Sequence, residues 1–230
     1  ATASSAFSIG VGAIGCALGI GKIAASGLKA THYQPAVSAP LLKVMLIAMA
    51  ITESSAIFCL VISVILLFTP LTHAGWEKLF ALAGAGLCVG LGNLGSGIGK
   101  GLIGERAVEG IGRNPASESV VTRFMLLTQA ITESPAIFAL VISLSLIFID
   151  LPKQGITYAF SLLAAGLCMG LGTIGPAYGE GYASAQACEA VSKKPGSFAI
   201  VLRTLLVGMA LVESCSVYAM VIALCIMYFS

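Results

Sequence analysis

The chain has 230 residues, 58% of them hydrophobic and 10% charged, with a formal net charge of +2 and a mean hydropathy of +1.01. That balance lies far outside the range of a soluble domain, and with no cluster of nucleophile, base or metal ligands it excludes a soluble enzyme. No basic run is present, so nucleic acid is excluded as a partner too.

What the chain offers is apolar length. About 20 such residues cross the roughly 30 Å hydrocarbon core as a helix. Six stretches qualify in chain order: 5–28, 41–68, 79–103, 125–149, 158–183 and 205–229. The predicted fold class is an all-α membrane protein, because backbone groups in lipid must bond internally and the alternation of a membrane barrel is absent. Lys29, Lys43, Arg106, Arg113, Arg123, Lys193, Lys194 and Arg203 gather around the first, third and fifth connections, against Lys78 and Lys153 on the other side. The positive-inside tendency predicts a multi-pass protein with these connections on the cytoplasmic or equivalent side and both termini opposite. The seven cysteines, at 16, 59, 88, 168, 188, 215 and 225, are odd in number and lack CxxC spacing. They read as small hydrophobes. The N-terminal stretch belongs to the repeat described next and is not read as a cleavable signal.

The period of that repeat is 80 residues. Gly12, Gly15, Gly19 and Gly21 recur as Gly92, Gly95, Gly99 and Gly101 and again as Gly172, Gly175, Gly179 and Gly181. Pro35, Pro115 and Pro195 keep the register, as do Lys43, Arg123 and Arg203, then Glu53, Glu133 and Glu213. Each unit is a Gly-rich helix, a polar turn ending in Pro ("HYQP", "GRNP", "SKKP") and a second helix holding one Glu. Pro lacks an amide donor and drives the residue before it out of the helical region, so these turns close helical hairpins. Three tandem hairpins follow, over 1–74, 75–154 and 155–230, joined by brief linkers at 69–75 and 150–155. The glycines let neighbouring backbones approach closely, which predicts a crowded inner layer. "GIGKG" at 97–101 lacks the full nucleotide-loop pattern and lies within an apolar helix, so it is not read as one.

Each Glu stands near the middle of its apolar stretch, where a charge costs on the order of 2.5–3.5 kcal/mol even on the lenient insertion scale. Burial penalises the carboxylate, so at neutral pH the group is expected to be protonated or neutralised by a bound cation. Such a group crosses lipid only when loaded, which is the chemistry of a carrier. Ser54, Ser134 and Ser214 follow the three Glu, Thr52 and Thr132 precede two of them, and Gln129 lies one turn before Glu133. These, with Tyr218, are candidate supporting ligands. Pro135 predicts a local kink that frees the carbonyl of Ile131.

The pattern resembles the c subunit, or proteolipid, of rotary F-type ATP synthases. The match is carried by "GIGRNP" at 110–115 and "TQAITES" at 128–134, and three such hairpins cover the whole chain. The resemblance implies a two-layer c-ring of helical hairpins built from copies of this chain, with a hairpin number divisible by three if no other chain contributes. It implies a non-catalytic rotor without a cofactor, in which loading of Glu53, Glu133 and Glu213 turns the ring past a stator a subunit. Gln34, Arg113, Asn114, Lys193 and Lys194 would meet the central stalk, in a bacterial inner membrane or an organelle's energy-coupling membrane. Sodium-binding members of the family carry a Gln 33 residues before the Glu, and that position holds Ile20, Lys100 and Glu180 here. The expected cargo is therefore the proton, with sodium as the alternative. A vacuolar-type proteolipid and a stand-alone channel or transporter are the other readings, and tandem hairpins of like topology weigh against a transporter. Lys100 and Glu180 stand 15 residues before their loop prolines. They are expected to pair with each other, unless position 100 faces the ring lumen. If Lys100 paired with Glu133 instead, that hairpin would stop carrying ions.

Overall fold

The computed structural model describes residues 2–70, 75–149 and 155–229. The parts of the two linkers at 71–74 and 150–154, with Lys153, lie outside the described residues. Seven helices follow in order: α1 Thr2–Tyr33, α2 Ser38–Phe68, α3 Trp76–Arg113, α4 Glu118–Ile131, α5 Ser134–Phe148, α6 Ile156–Lys193 and α7 Phe198–Phe229. With α4 and α5 taken together they make six spans long and apolar enough to cross a membrane.

The hairpin turns form as their sequence dictates. Gln34, Asn114 and Lys194 each precede the proline and leave the helical region, with φ near −137° to −139° and ψ of 75° to 84°. Their amides still close the last helical turn on Ala30, Gly110 and Ala190. One short 3-10 turn then begins at each proline, whose fixed φ suits a first helical position. The helices run past the apolar stretches: α3 and α6 each have 38 residues, about 57 Å at ~1.5 Å per residue. Their last turns carry Glu105, Arg106, Glu109 and Arg113, and Glu189 and Lys193, beyond the apolar core.

The helices form two layers. In one, α1 packs on α3 and α3 on α6; in the other lie α2, the α4–α5 pair and α7. The first layer is held by backbone contact at glycine. A Cβ at Gly101 would fall on the Cα of Gly19, and one at Gly181 on the Cα of Gly99. At Gly95 it would lie 2.7 Å from the Ile174 carbonyl oxygen. The same positions at the two edges are unfilled: Gly10 and Gly21 on α1 and Gly175 on α6 face open space. The layer is an open arc in which α1 and α6 do not pack on each other.

Two apolar clusters fill the space between layers. One, toward the termini, includes Cys59, Ile62, Leu66, Leu82, Ile142, Leu146 and Leu162; the other, toward the hairpin turns, includes Ile23, Leu41, Ile103, Phe124, Met125 and Val191. Between them lies a level of buried polar side chains: Thr52, Ser55, Ser96, Lys100, Gln129, Thr132 and Glu180. All seven cysteines are free, and Cys16, Cys59, Cys88 and Cys188 are buried.

Candidate functional site

The polar level is where the three outer-layer carboxylates stand. From Ser38 to Glu53, Glu118 to Glu133 and Phe198 to Glu213 is 15 residues each, so each Glu lies about 22 Å along its helix or helix pair. Their surroundings nevertheless differ.

At Glu133 the outer helix is interrupted. Pro135 has no amide to give the Ile131 carbonyl, α4 ends at Ile131, and α5 starts at Ser134, whose Oγ donates to that carbonyl at 2.8 Å. The predicted kink is a break of two residues, Thr132 and Glu133. Into this break reaches Lys100 from α3. Its Nζ lies 2.6 Å from Glu133 Oε2, 2.8 Å from Ser54 Oγ and 3.2 Å from the Ile51 carbonyl oxygen. The Lys100 side chain is 0% exposed and that of Glu133 13%. An ammonium has three N–H donors, and all three find acceptors here. Ser54 Oγ also lies 2.9 and 3.0 Å from the two Glu133 oxygens, so carboxylate, hydroxyl, carbonyl and ammonium form one closed set.

The expected pairing of Lys100 with Glu180 is thereby corrected. Equal depth on neighbouring inner helices is not proximity, because rotation about the helix axis decides which groove a side chain enters. Lys100 enters the groove between α2 and α4–α5; Glu180, 80 residues on, belongs to the next groove, where its electrostatic neighbour is Glu213. Glu180 is 0% exposed, and neither of its carboxylate oxygens has a hydrogen-bond partner among the described residues. Glu53 is exposed and Glu213 half-buried, and no ion pair reaches either among the described residues.

The supporting residues separate by what they touch. Ser54 serves the Glu of the following hairpin as well as its own helix, whereas Ser134 and Ser214 bond the carbonyls of Ile131 and Leu211. Thr52 and Thr132 donate to the carbonyls of Ala48 and Thr128, each four residues earlier in the same span. Gln129 Nε2 donates to the backbone oxygen of Lys100 at 3.1 Å and lies 3.4 Å from that of Ala48, tying three helices beside the ion pair without touching Glu133. Tyr218 is 66% exposed and makes no hydrogen bond to Glu213 among the described residues. Sequence reasoning missed that a site is shared by two hairpins: the Ile51 carbonyl and Ser54 come from the first, and Lys100 and Glu133 from the second. An 80-residue period shows equivalence between positions but not which neighbours meet.

At the hairpin turns Arg113 pairs with Glu109 and Lys193 with Glu189, at 2.5 and 2.7 Å. Arg106 bridges Glu109 and, across to the third hairpin, Glu189. Asn114 Nδ2 donates to the Ser192 carbonyl at 2.8 Å, Lys194 is exposed, and the Gln34 side chain is half-buried. These groups form a charged rim at one end of the arc.

Comparison with known proteins points one way. The family described as the ATP synthase C subunit matches three times, at residues 3–66, 83–146 and 163–226. The ATP synthase c subunit of Geotalea uraniireducens is 41% identical over 71 residues, 31% of this chain and 78% of the relative. That of Dehalococcoides mccartyi is 52% identical over 68 residues, 30% of this chain and 90% of the relative. The chloroplastic ATP synthase c subunit of Emiliania huxleyi is 43% identical over 68 residues, 30% of this chain and 83% of the relative. Each relative is about the length of one hairpin of the three.

Proposed function

The chain belongs to the ATP synthase C subunit family, and on that premise we propose that it is a non-catalytic rotor component whose copies close into a membrane ring carrying protons on mid-membrane carboxylates. The observation that carries this reading is the open arc with unmatched edges. Inside the arc, Gly101 and Gly181 each receive the helix of the preceding hairpin, and Gly95 receives that of the following one. Gly21 and Gly175 are the same positions with nothing against them. A second copy placed head to tail would bring its α1 against α6 of the first, repeating the contact already made twice. Because such an interface joins unlike surfaces, it closes into a ring when the rotation per step permits.

Glu53, Glu133 and Glu213 are the three mid-membrane carboxylate positions that each chain gives this ring, and the ring works by their neutrality. A loaded carboxyl passes the lipid at little cost, while an ionised one is held back until it meets water or a positive group of the stator. The polar turns, with Gln34, Arg113, Asn114, Lys193 and Lys194, face the cytoplasmic or equivalent side and meet the central stalk. Proton transport coupled to ATP synthesis or hydrolysis follows. One observation favours sodium as a second cargo at one station: Glu180, whose carboxylate oxygens have no hydrogen-bond partner among the described residues, supplies a second carboxylate beside Glu213.

The test is ATP-driven pumping in inverted membrane vesicles containing the whole complex, with Glu53→Gln and Glu213→Gln introduced separately. Each substitution is expected to lower the number of ions pumped per ATP, and the two combined to abolish pumping, while the ring still assembles on electrophoresis. Undiminished pumping with both substitutions combined refutes the reading. Acidification that proceeds in sodium-free buffer supports protons; a strict sodium requirement reverses the choice of ion.

A further inference from the structure

We propose that Lys100 is a tethered cation that permanently fills the middle ion station, so that each chain carries exchangeable ions at Glu53 and Glu213 and none at Glu133. The inference rests on the rotor reading above and refines it. Its ground is coordination. Lys100 Nζ is held by a carboxylate oxygen, a hydroxyl and a backbone carbonyl, at 2.6, 2.8 and 3.2 Å, all oxygen donors of the sort that bind a small cation. The site is shared by two hairpins, so the same construction repeats once more within the chain and once between copies. The equivalent of Lys100 is Glu180 in one of those and Ile20 in the other. An amine occurs in the middle station alone.

Charge decides the consequence. A station with a lone Glu is neutral when loaded and negative when empty, so it must hold an ion to cross lipid. The Lys100–Glu133 pair is neutral with no cargo at all, and adding a proton to it would leave a buried ammonium uncompensated. The pair therefore crosses the lipid-facing arc as it stands and has nothing to release to a half-channel. Gln129, bonded to the Lys100 backbone, and the break at Glu133 keep the two groups together. Rotation of a ring of such chains then moves two ions for every three hairpins, a third fewer than a ring with every station active.

The experiment is carbodiimide labelling of the purified ring followed by peptide mass mapping, since the reagent attacks protonated carboxyls and not ion-paired ones. In the native ring, label is expected on Glu53 and Glu213 and absent from Glu133. In Lys100→Met, Glu133 is expected to label like the other two. Label on Glu133 of the native ring equal to that on Glu53 and Glu213 overturns the tethered cation while leaving the rotor reading intact. Absence of label from all three carboxyls at acidic pH overturns the rotor reading and the inference together. Should Lys100→Met fail to assemble, the double variant Lys100→Met, Glu133→Gln supplies the answer through pumping. An unchanged ratio of ions moved to ATP hydrolysed supports the inference, and loss of coupled transport refutes it.

Discussion

Removing one member of the central ion pair has a cost that the geometry lets one assign. Glu133→Gln leaves the Lys100 ammonium with the Ser54 hydroxyl, the Ile51 carbonyl and an amide oxygen, all neutral, in a pocket where its side chain is 0% exposed. Breaking a buried pair from one side typically costs about 3–5 kcal/mol, because the remaining charge has lost its counter-charge but not its desolvation. Lys100→Met leaves Glu133 alone, but that carboxyl sits at the rim, 13% exposed, and is neutralised by a single proton, so the cost from that side is about 1–3 kcal/mol. The double variant Lys100→Met, Glu133→Gln removes both charges and keeps similar volumes; it is expected to be within about 1 kcal/mol of the native chain. Reversible unfolding of the detergent-solubilised chain, followed by helical circular dichroism across all four members of the cycle, measures the coupling directly. The two single costs are predicted to sum to several kcal/mol more than the double. Additive single and double effects would refute the pairing argument, since a pair with no coupling energy holds nothing together.

Four other outcomes follow from the packing. Gly101→Leu places its side chain on the Cα of Gly19 and should destabilise the isolated chain by at least the ~1–3 kcal/mol of an overpacked core, measured by the same unfolding curve. Gly21→Leu, whose position is open, should leave the chain's own stability within about 0.5 kcal/mol yet prevent ring assembly, read by native electrophoresis beside the unfolding curve. Arg106→Ala removes a bridge between the second and third hairpins at 3.4 Å, but its side chain is 38% exposed, so the loss should stay below about 1 kcal/mol and shrink further in high salt. Gln129→Ala should cost more than Arg106→Ala, about 1–3 kcal/mol, because it strips the buried Lys100 and Ala48 carbonyls of a donor; a smaller effect than at Arg106 would contradict the burial argument.

Much of the architecture is legible in the residues alone. The 80-residue period, the prolines at 35, 115 and 195 and the apolar lengths dictate three hairpins, and the turns take the backbone angles that a residue before proline requires. The break at Glu133 is readable from Pro135, since a missing amide has one local consequence. The helix ends are not. Apolar runs measure membrane thickness rather than helix length, so the turns of α3 and α6 that carry Arg106, Glu109 and Glu189 lie outside the runs and inside the helices.

The partner of Lys100 is the clearest case of what the linear chain withholds. Depth along a helix is set by residue count, and on depth alone Glu180 and Glu133 are both within reach. Which one is met depends on the azimuth of Lys100 around α3 and on the closeness that Gly19, Gly99 and Gly101 allow between backbones, neither of which a one-dimensional period encodes. Thus the order of the residues settled how many hairpins there are and how deep each acid lies, because those follow from covalent counting and solvation. Packing of three helices against one another settled that one acid of the three already has its cation, because only a rotation in space brings an amine 46 residues away onto Ser54 and the neighbouring carboxylate.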